Sequence, residues 1–152
     1  MRITQYTDYA LRVLLYLALC ERRRVTIGEI SDAYRISRNH LMKVVNDLAR
    51  LGYVATTRGK GGGLTLGRRP AEVRIGVLVR QLEKDLALVE CFMADSCHCR
   101  IKDGCLFKPV FEQALEAFFA ALDAYTLEDM LANREGLKRL LGLMPEETAR
   151  LA

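Results

Sequence analysis

The chain has 152 residues, 51% hydrophobic and 28% charged, which suits one or two small domains that can bury a core. Its net charge of +4 conceals an asymmetry: residues 1–70 carry 13 Lys/Arg against 5 Asp/Glu, and residues 71–152 carry 10 against 14. No apolar run reaches the roughly eighteen residues of a membrane span, the opening Met1-Arg-Ile-Thr lacks the basic-then-apolar order of a signal peptide, and no acid–base pair or nucleophile triad marks an enzyme. A cytoplasmic, non-enzymatic protein with no membrane partner is expected, and its basic first half suits either a polyanionic partner or a chance distribution of surface charge.

Residues 4–20 predict a helix, with Tyr6, Tyr9, Ala10, Val13, Leu14, Leu17 and Ala18 at helical spacing. Thr4 or Thr7 can cap its start. Asp8, in the first turn, suits the positive end of the helix dipole or an ion pair with Arg12 four residues on. Cys20 reads as a small buried thiol. A basic turn, Arg22-Arg23-Arg24, leads into Thr26-Ile-Gly-Glu29, which carries the capping-box pattern before a short helix with Ile27, Ile30 and Ala33. Tyr34-Arg-Ile-Ser37 predicts a tight turn, and Ser37 a cap for a second helix over 38–51 that Gly52 ends. Leu41, Val44, Val45, Leu48 and Leu51 form its buried stripe, leaving Arg38, Asn39, His40 and Lys43 off the stripe near its N-terminus.

That spacing is a helix-turn-helix, whose second helix offers its N-terminal side chains to the major groove. Arg38 and Asn39 can pair bidentately with guanine and adenine edges, and Lys43 can reach phosphate. His40 is either a base or backbone contact or a solvated surface histidine. Next, Tyr53-Val-Ala-Thr-Thr-Arg58-Gly59-Lys60-Gly61-Gly62-Gly63-Leu-Thr-Leu66 predicts a hairpin with a Gly-rich tip. The tip lacks the spacing of a nucleotide-binding P-loop and the Ser/Thr after its Lys. A wing suits it better, with Arg58 entering the minor groove and Lys60 beside the DNA backbone.

In the second half, Pro70 fits the start of a helical turn. Val73, Val77, Leu78 and Leu82 predict a short amphipathic helix ending near Glu83 and packed on the wing side. From Leu106 onward, Phe107, Val110, Phe111, Ala114, Leu115, Phe118, Phe119 and Leu122 make an apolar stripe too wide for a lone surface helix. A second copy of the same helix, in a two-fold homodimer, is the expected cover, favoured over a heme or lipid pocket. Thr126-Leu-Glu-Asp129 resembles a capping box, and residues 134–143 predict a last helix before Pro145. The expected fold is mainly α with a small β-hairpin: a winged helix-turn-helix over 1–69, a linker helix over 70–90, a cysteine loop over 91–105, and a long dimerisation helix with C-terminal helices over 106–152.

The loop holds four of the five cysteines: Cys91, Cys97, Cys99 and Cys105. Where thiols stay reduced, such a cluster reads as metal-binding or redox-active rather than as a structural disulfide. No tight Cys-x2–4-Cys zinc knuckle and no Cys-x-x-Cys redox motif is present. Thiolates spread along a loop suit an iron–sulfur cluster best, with zinc and a redox disulfide as the alternatives.

Three stretches carry a resemblance: Met1-Arg-Ile-Thr-Gln-Tyr-Thr-Asp-Tyr-Ala-Leu-Arg12, Ile36-Ser-Arg-Asn-His-Leu-Met-Lys-Val-Val-Asn-Asp-Leu48 and Arg58-Gly-Lys-Gly-Gly-Gly-Leu, with the cysteine loop before an apolar helix as a fourth. In these the chain resembles the cluster-binding winged-helix regulators of the NsrR/IscR family, in particular their nitric-oxide-sensing NsrR-type repressors. The resemblance implies a homodimeric repressor of a palindromic double-stranded DNA operator. It implies one iron–sulfur cluster per subunit, 4Fe–4S with 2Fe–2S as the alternative, and nitric oxide as the signal. It further implies three loop cysteines as ligands and, as the fourth, the aspartate matching Asp8 of the partner subunit. Cys91 and Cys105 match by position. The family pattern has three loop cysteines where this chain has four, so the middle ligand falls on Cys97, which keeps the Cys-His pair, or on Cys99, which keeps the five-residue gap to Cys105. Two rivals follow: a sensor of the same fold with another signal, IscR-like, and a zinc-stabilised DNA-binding protein.

Overall fold

The computed structural model describes residues 2–21, 23–93 and 97–144. Arg22 of the expected basic turn, Pro145 after the last helix and residues 94–96 of the cysteine loop lie outside the described residues. The first helix, α1 (Gln5–Leu19), is the axis of the fold. Thr4 is its cap: its backbone is extended and its Oγ1 accepts from the Thr7 N–H at 3.3 Å, while Thr7 itself is buried. Ala10, Val13, Leu14 and Ala18 are wholly buried, because the helices over 38–50 and 75–82, the hairpin and the 129–131 turn close around α1. Cys20, at the end of α1, is buried as expected, and that burial pushes its thiol pKa up.

The helix-turn-helix consists of α2 (Ile27–Tyr34) and α3 (Arg38–Arg50). Only half of the expected capping box forms. Thr26 Oγ1 accepts from the Glu29 N–H at 3.2 Å, but the Glu29 carboxylate turns to Arg23 at 2.7 Å. A charge-assisted bond to a guanidinium outweighs one to a neutral backbone N–H. Between the helices Arg35 takes a left-handed conformation (φ 54°), and Ser31 Oγ donates to the Ile36 carbonyl at 2.7 Å, closing the turn. Ser37 sits at the cap position of α3 without a side-chain capping bond. Leu41, Val44, Val45 and Leu48 are buried as the stripe predicts, but Leu51 is only half-buried because the helix ends at Arg50 and Leu51 is its cap, followed by Gly52 (φ 77°).

Strands β1 (Val54–Thr57) and β2 (Gly63–Leu66) form the antiparallel hairpin, with Val54 opposite Leu66 and Thr57 opposite Gly63. Val25 adds an edge bridge, exchanging two backbone hydrogen bonds with Leu64 at 3.0 and 2.8 Å. After a 3-10 turn at Pro70–Glu72 comes α4 (Ile75–Leu82). Two expectations fail here. Ile75, Leu78, Val79 and Leu82 face inward, so Val77 falls on the solvent side, 39% exposed. The helix also packs mainly against α1 and α5 rather than the wing, although Tyr53 Oη, just before β1, donates to Gln81 Oε1 at 2.8 Å.

A 3-10 turn at Glu90–Phe92 opens the cysteine loop, which leads into α5 (Phe107–Asp123). The C-terminal half of α5 docks on α4: Phe119 packs with Ile75 and Val79, and Asp123 takes a two-pronged ion pair from Arg80 at 2.8 and 2.7 Å. The N-terminal half projects, leaving Leu106, Phe107 and Val110 mostly exposed. Thr126 and Asp129 cap each other reciprocally, but the element they start is a single 3-10 turn at Asp129–Leu131. The last helix, α6 (Arg134–Leu140), is shorter than expected because Gly142 turns left-handed (φ 66°). Val73, Leu78, Leu82, Leu127 and Leu131 join the α1 core, so the chain after the wing folds back onto the reading head.

Candidate nucleic-acid interface and cysteine loop

Once Leu41, Val44, Val45 and Leu48 are buried, the helical period fixes the outward face of α3. Arg38, Asn39, His40, Met42 and Lys43 are all exposed on it. Arg38 keeps only a loose 3.9 Å pairing with Asp32, and both side chains are largely solvated, so its guanidinium is available to a ligand. The His40 ring lies beside the Tyr9 ring of α1, centroids 6.4 Å apart and planes 27° from parallel. Tyr6, also on α1, donates its hydroxyl to the Asp47 carboxylate and lies 3.3 Å from the Lys43 carbonyl. Burial first, and Asp47 second, push the Tyr6 phenol up to about 12.

The wing presents Arg58 and Lys60 in solvent on the same basic half. Its glycines meet two separate demands. Gly59 and Gly61 have left-handed φ angles of 91° and 76°, and a Cβ on Gly62 would strike the Thr57 carbonyl oxygen. Arg24 Nη1 donates to the Gly61 carbonyl at 3.2 Å, holding the tip against the 23–25 segment.

The four loop cysteines are free thiols of intermediate exposure. The His98 N–H donates to Glu90 Oε1 at 2.6 Å, which draws the Cys97–Cys99 segment towards Cys91. Free, half-exposed thiols on one pinned loop are chemically suited to iron–sulfur ligation, because thiolate is the ligand such clusters take. Asp8 is engaged elsewhere: Arg12 grips its carboxylate with two bonds, Nη2 to Oδ2 at 2.8 Å and Nε to Oδ1 at 3.1 Å. Among the described residues of the single chain, no group of three or more His, Cys, Asp or Glu is assembled for a metal ion. The chain thus leaves Arg38, Asn39, His40 and Lys43 on the outward face of α3 and Arg58 and Lys60 exposed on the wing, and keeps Asp8 paired with Arg12.

Sequence reasoning missed the hydroxyl contacts of Tyr6 and the ring contact of Tyr9 with His40, both read as core positions, and the tie from Thr4 to Glu83. Glu83 Oε1 accepts from both the N–H and the hydroxyl of Thr4, at 2.9 and 3.0 Å. A tyrosine at the edge of an apolar stripe carries a hydroxyl that seeks a partner, and that was the available signal.

The family model described as "Rrf2: Iron-dependent Transcriptional regulator" matches residues 3–133. The chain is 49% identical over 142 residues to the HTH-type transcriptional regulator NsrR of Geobacillus kaustophilus (strain HTA426), covering 93% of this chain and 97% of that protein. It is 47% identical over 142 residues to the regulator of the same name from Bacillus subtilis (strain 168), with the same coverage. Among solved structures it resembles CymR (YrzC), the global cysteine regulator of B. subtilis, with a TM-score of 0.70, 25% identity and coverage of 88% and 98% of the two chains. It shares its fold with T. potens IscR, with a TM-score of 0.72, 24% identity and 91% of each chain covered. These relatives are transcriptional regulators and not enzymes. The helix-turn-helix head, the wing and the match over most of the length make one conclusion: the chain is a transcriptional regulator that belongs to the Rrf2 family.

Proposed function

We propose that this regulator is a homodimeric repressor that binds an iron–sulfur cluster, 4Fe–4S in preference to 2Fe–2S, and releases its DNA operator in response to nitric oxide. The observation that carries the reading is the pinned loop of free thiols placed between the α4–α1 core and the projecting half of α5. The similarity to NsrR regulators at 49% and 47% identity supports it. Cys91, Cys97 and Cys105 supply thiolates, Cys99 standing in for Cys97 if the middle ligand is shifted, and Asp8 of the partner subunit supplies a carboxylate. When bound, the cluster supplies iron to which nitric oxide can add.

The residues of the chain do the rest. To serve as a ligand, Asp8 must leave Arg12, and on release it can return to it. That exchange moves the first turn of α1, which abuts the reading head. Arg38 and Asn39 read base edges in the major groove, with His40 beside them. Lys43 and Lys60 hold phosphates, and Arg58 enters the minor groove. Two heads related by two-fold symmetry would meet palindromic half-sites about 34 Å apart, one turn of DNA. A ligand shifts such an equilibrium only by binding one arrangement better than the other. Functionally, residues 1–69 read DNA, 70–90 connect, 91–105 hold the cluster and 106–152 dimerise.

Anaerobic purification tests this. A brown protein with iron and sulfide, whose spectrum changes and whose operator affinity falls on adding nitric oxide, is expected. A colourless protein holding one zinc overturns the proposal, and an iron–sulfur protein whose DNA affinity ignores nitric oxide assigns it another signal.

A further inference from the structure

We infer that Tyr6 is the positioning residue through which a movement of the first turn of α1 reaches the recognition helix α3. This rests on the sensor function proposed above and adds the side chain that connects its Asp8 end to its DNA-reading end. Tyr6 and Asp8 occupy the same helical turn, two residues apart. From that turn the Tyr6 hydroxyl donates to the Asp47 carboxylate and lies 3.3 Å from the carbonyl of Lys43, so it grips one full turn of α3, beside the Lys43 side chain. Arg50 Nη2, 2.7 Å from Asp47 Oδ1, orients the carboxylate that receives it. At its other end the turn is moored through Thr4 to Glu83, just past α4 on the path to the cysteine loop.

The character of this contact distinguishes it from its neighbours. The buried positions of α1 beyond Thr7 are mainly apolar: Ala10, Val13, Leu14 and Leu17. Apolar contact is non-directional and allows small sliding. A hydrogen bond is directional and is lost when the partners separate by about 1 Å beyond their usual distance. Tyr6 therefore turns a small displacement of the turn into a change at Lys43 and Asp47, where the apolar contacts would absorb it. A cleft of about 370 Å³, lined by Thr4, Tyr6, Asp47, Leu82 and Glu83 among others, leaves the turn room to move. Tyr9, in the same turn, sits against His40, so the same displacement also meets the base-reading end of α3.

The test compares wild type with Tyr6→Phe, which removes only the hydroxyl, and with Asp47→Ala, which removes its acceptor. Each protein is purified anaerobically and followed for iron and sulfide content, for its absorbance change on adding nitric oxide, for operator affinity in both states and for melting. Both variants are expected to load and respond spectroscopically like wild type and to melt within about 4 °C of it. The ratio of DNA affinities between the two states should shrink at least about fivefold, within the usual range of allosteric coupling. The double variant should lose no more than either single one, since the two remove one interaction. A Tyr6→Phe protein that keeps the wild-type ratio overturns the role of Tyr6 alone. A wild-type protein with no cluster, or with a cluster that ignores nitric oxide, overturns the sensor reading and the Tyr6 role with it. Should Tyr6→Phe not fold, the Asp47→Ala ratio decides.

Discussion

Asp8 and Arg12 are each more than two-fifths exposed, at 44% and 43% of their side chains, so their ion pair contributes less than about 1 kcal/mol to the fold. The iron of the proposed cluster can therefore draw the Asp8 carboxylate away from Arg12 at little cost in stability. Asp8→Ala is expected to melt within about 4 °C of wild type, yet to differ in cluster spectrum and in its nitric oxide response. An Asp8→Ala protein identical to wild type in cluster content, DNA affinity and response removes Asp8 from the ligand set. Tyr34 presents the opposite situation. Its hydroxyl is buried without a hydrogen-bond partner among the described residues, and burial pushes its phenol from 10 up to about 12. The neutral phenol is favoured in the fold, so this contribution is complete below pH 10 and is lost as the pH rises from 10 towards 12. Tyr34→Phe should melt at the same temperature or slightly higher at pH 8, since an unpaired buried hydroxyl costs about 1 kcal/mol or more. It should also lose less stability than wild type between pH 10 and 12; a clear drop at pH 8 would show that the hydroxyl has a partner.

At the scale of elements, α3 and the wing separate stability from recognition. The inward stripe of α3 is wholly or almost wholly buried, so Leu48→Ala should cost about 2–5 kcal/mol in denaturant unfolding. The outward face can change without that penalty. Lys43→Ala and Lys60→Ala should each weaken operator binding and lower the slope of log affinity against log salt by about 1. Unchanged slopes would remove these lysines from the interface. Gly62 is the critical position of the wing, because a methyl group there collides with the Thr57 carbonyl. Gly62→Ala is expected to distort the tip that carries Arg58 and Lys60 and to reduce DNA affinity while the α1 core still melts cooperatively.

For the molecule as a whole, the unbalanced feature is α5. Its C-terminal half is docked on α4, while Leu106, Phe107 and Val110 at its other end are 83%, 70% and 60% exposed. Burying each such side chain yields roughly 1.5–3 kcal/mol, a strong drive toward a second copy. Phe107→Glu or Val110→Glu should shift the protein from dimer to monomer in analytical ultracentrifugation. Without the second chain, the cluster affinity proposed for the dimer should fall as well. A dimer that survives both substitutions places the interface elsewhere.

The helices, the hairpin and the outward set from Arg38 to Lys43 were legible in the sequence, since helical period, turn residues and charge act locally. Local chemistry also placed Asp8 against Arg12 and Thr126 against Asp129. Tertiary packing decided what local chemistry could not. Val77 faces solvent because α4 sits between the α1 core, which takes Leu78 and Leu82, and α5, against which Ile75 and Val79 pack. Glu29 abandons its cap because a guanidinium six residues back in the chain competes for it. Tyr6, indistinguishable by period from the core residues around it, acquires a role only when α3, some forty residues on, brings Asp47 to its hydroxyl. Period and propensity report which face a side chain takes along its own helix. What that face meets is set by contacts between segments far apart in sequence, which only the folded chain brings together.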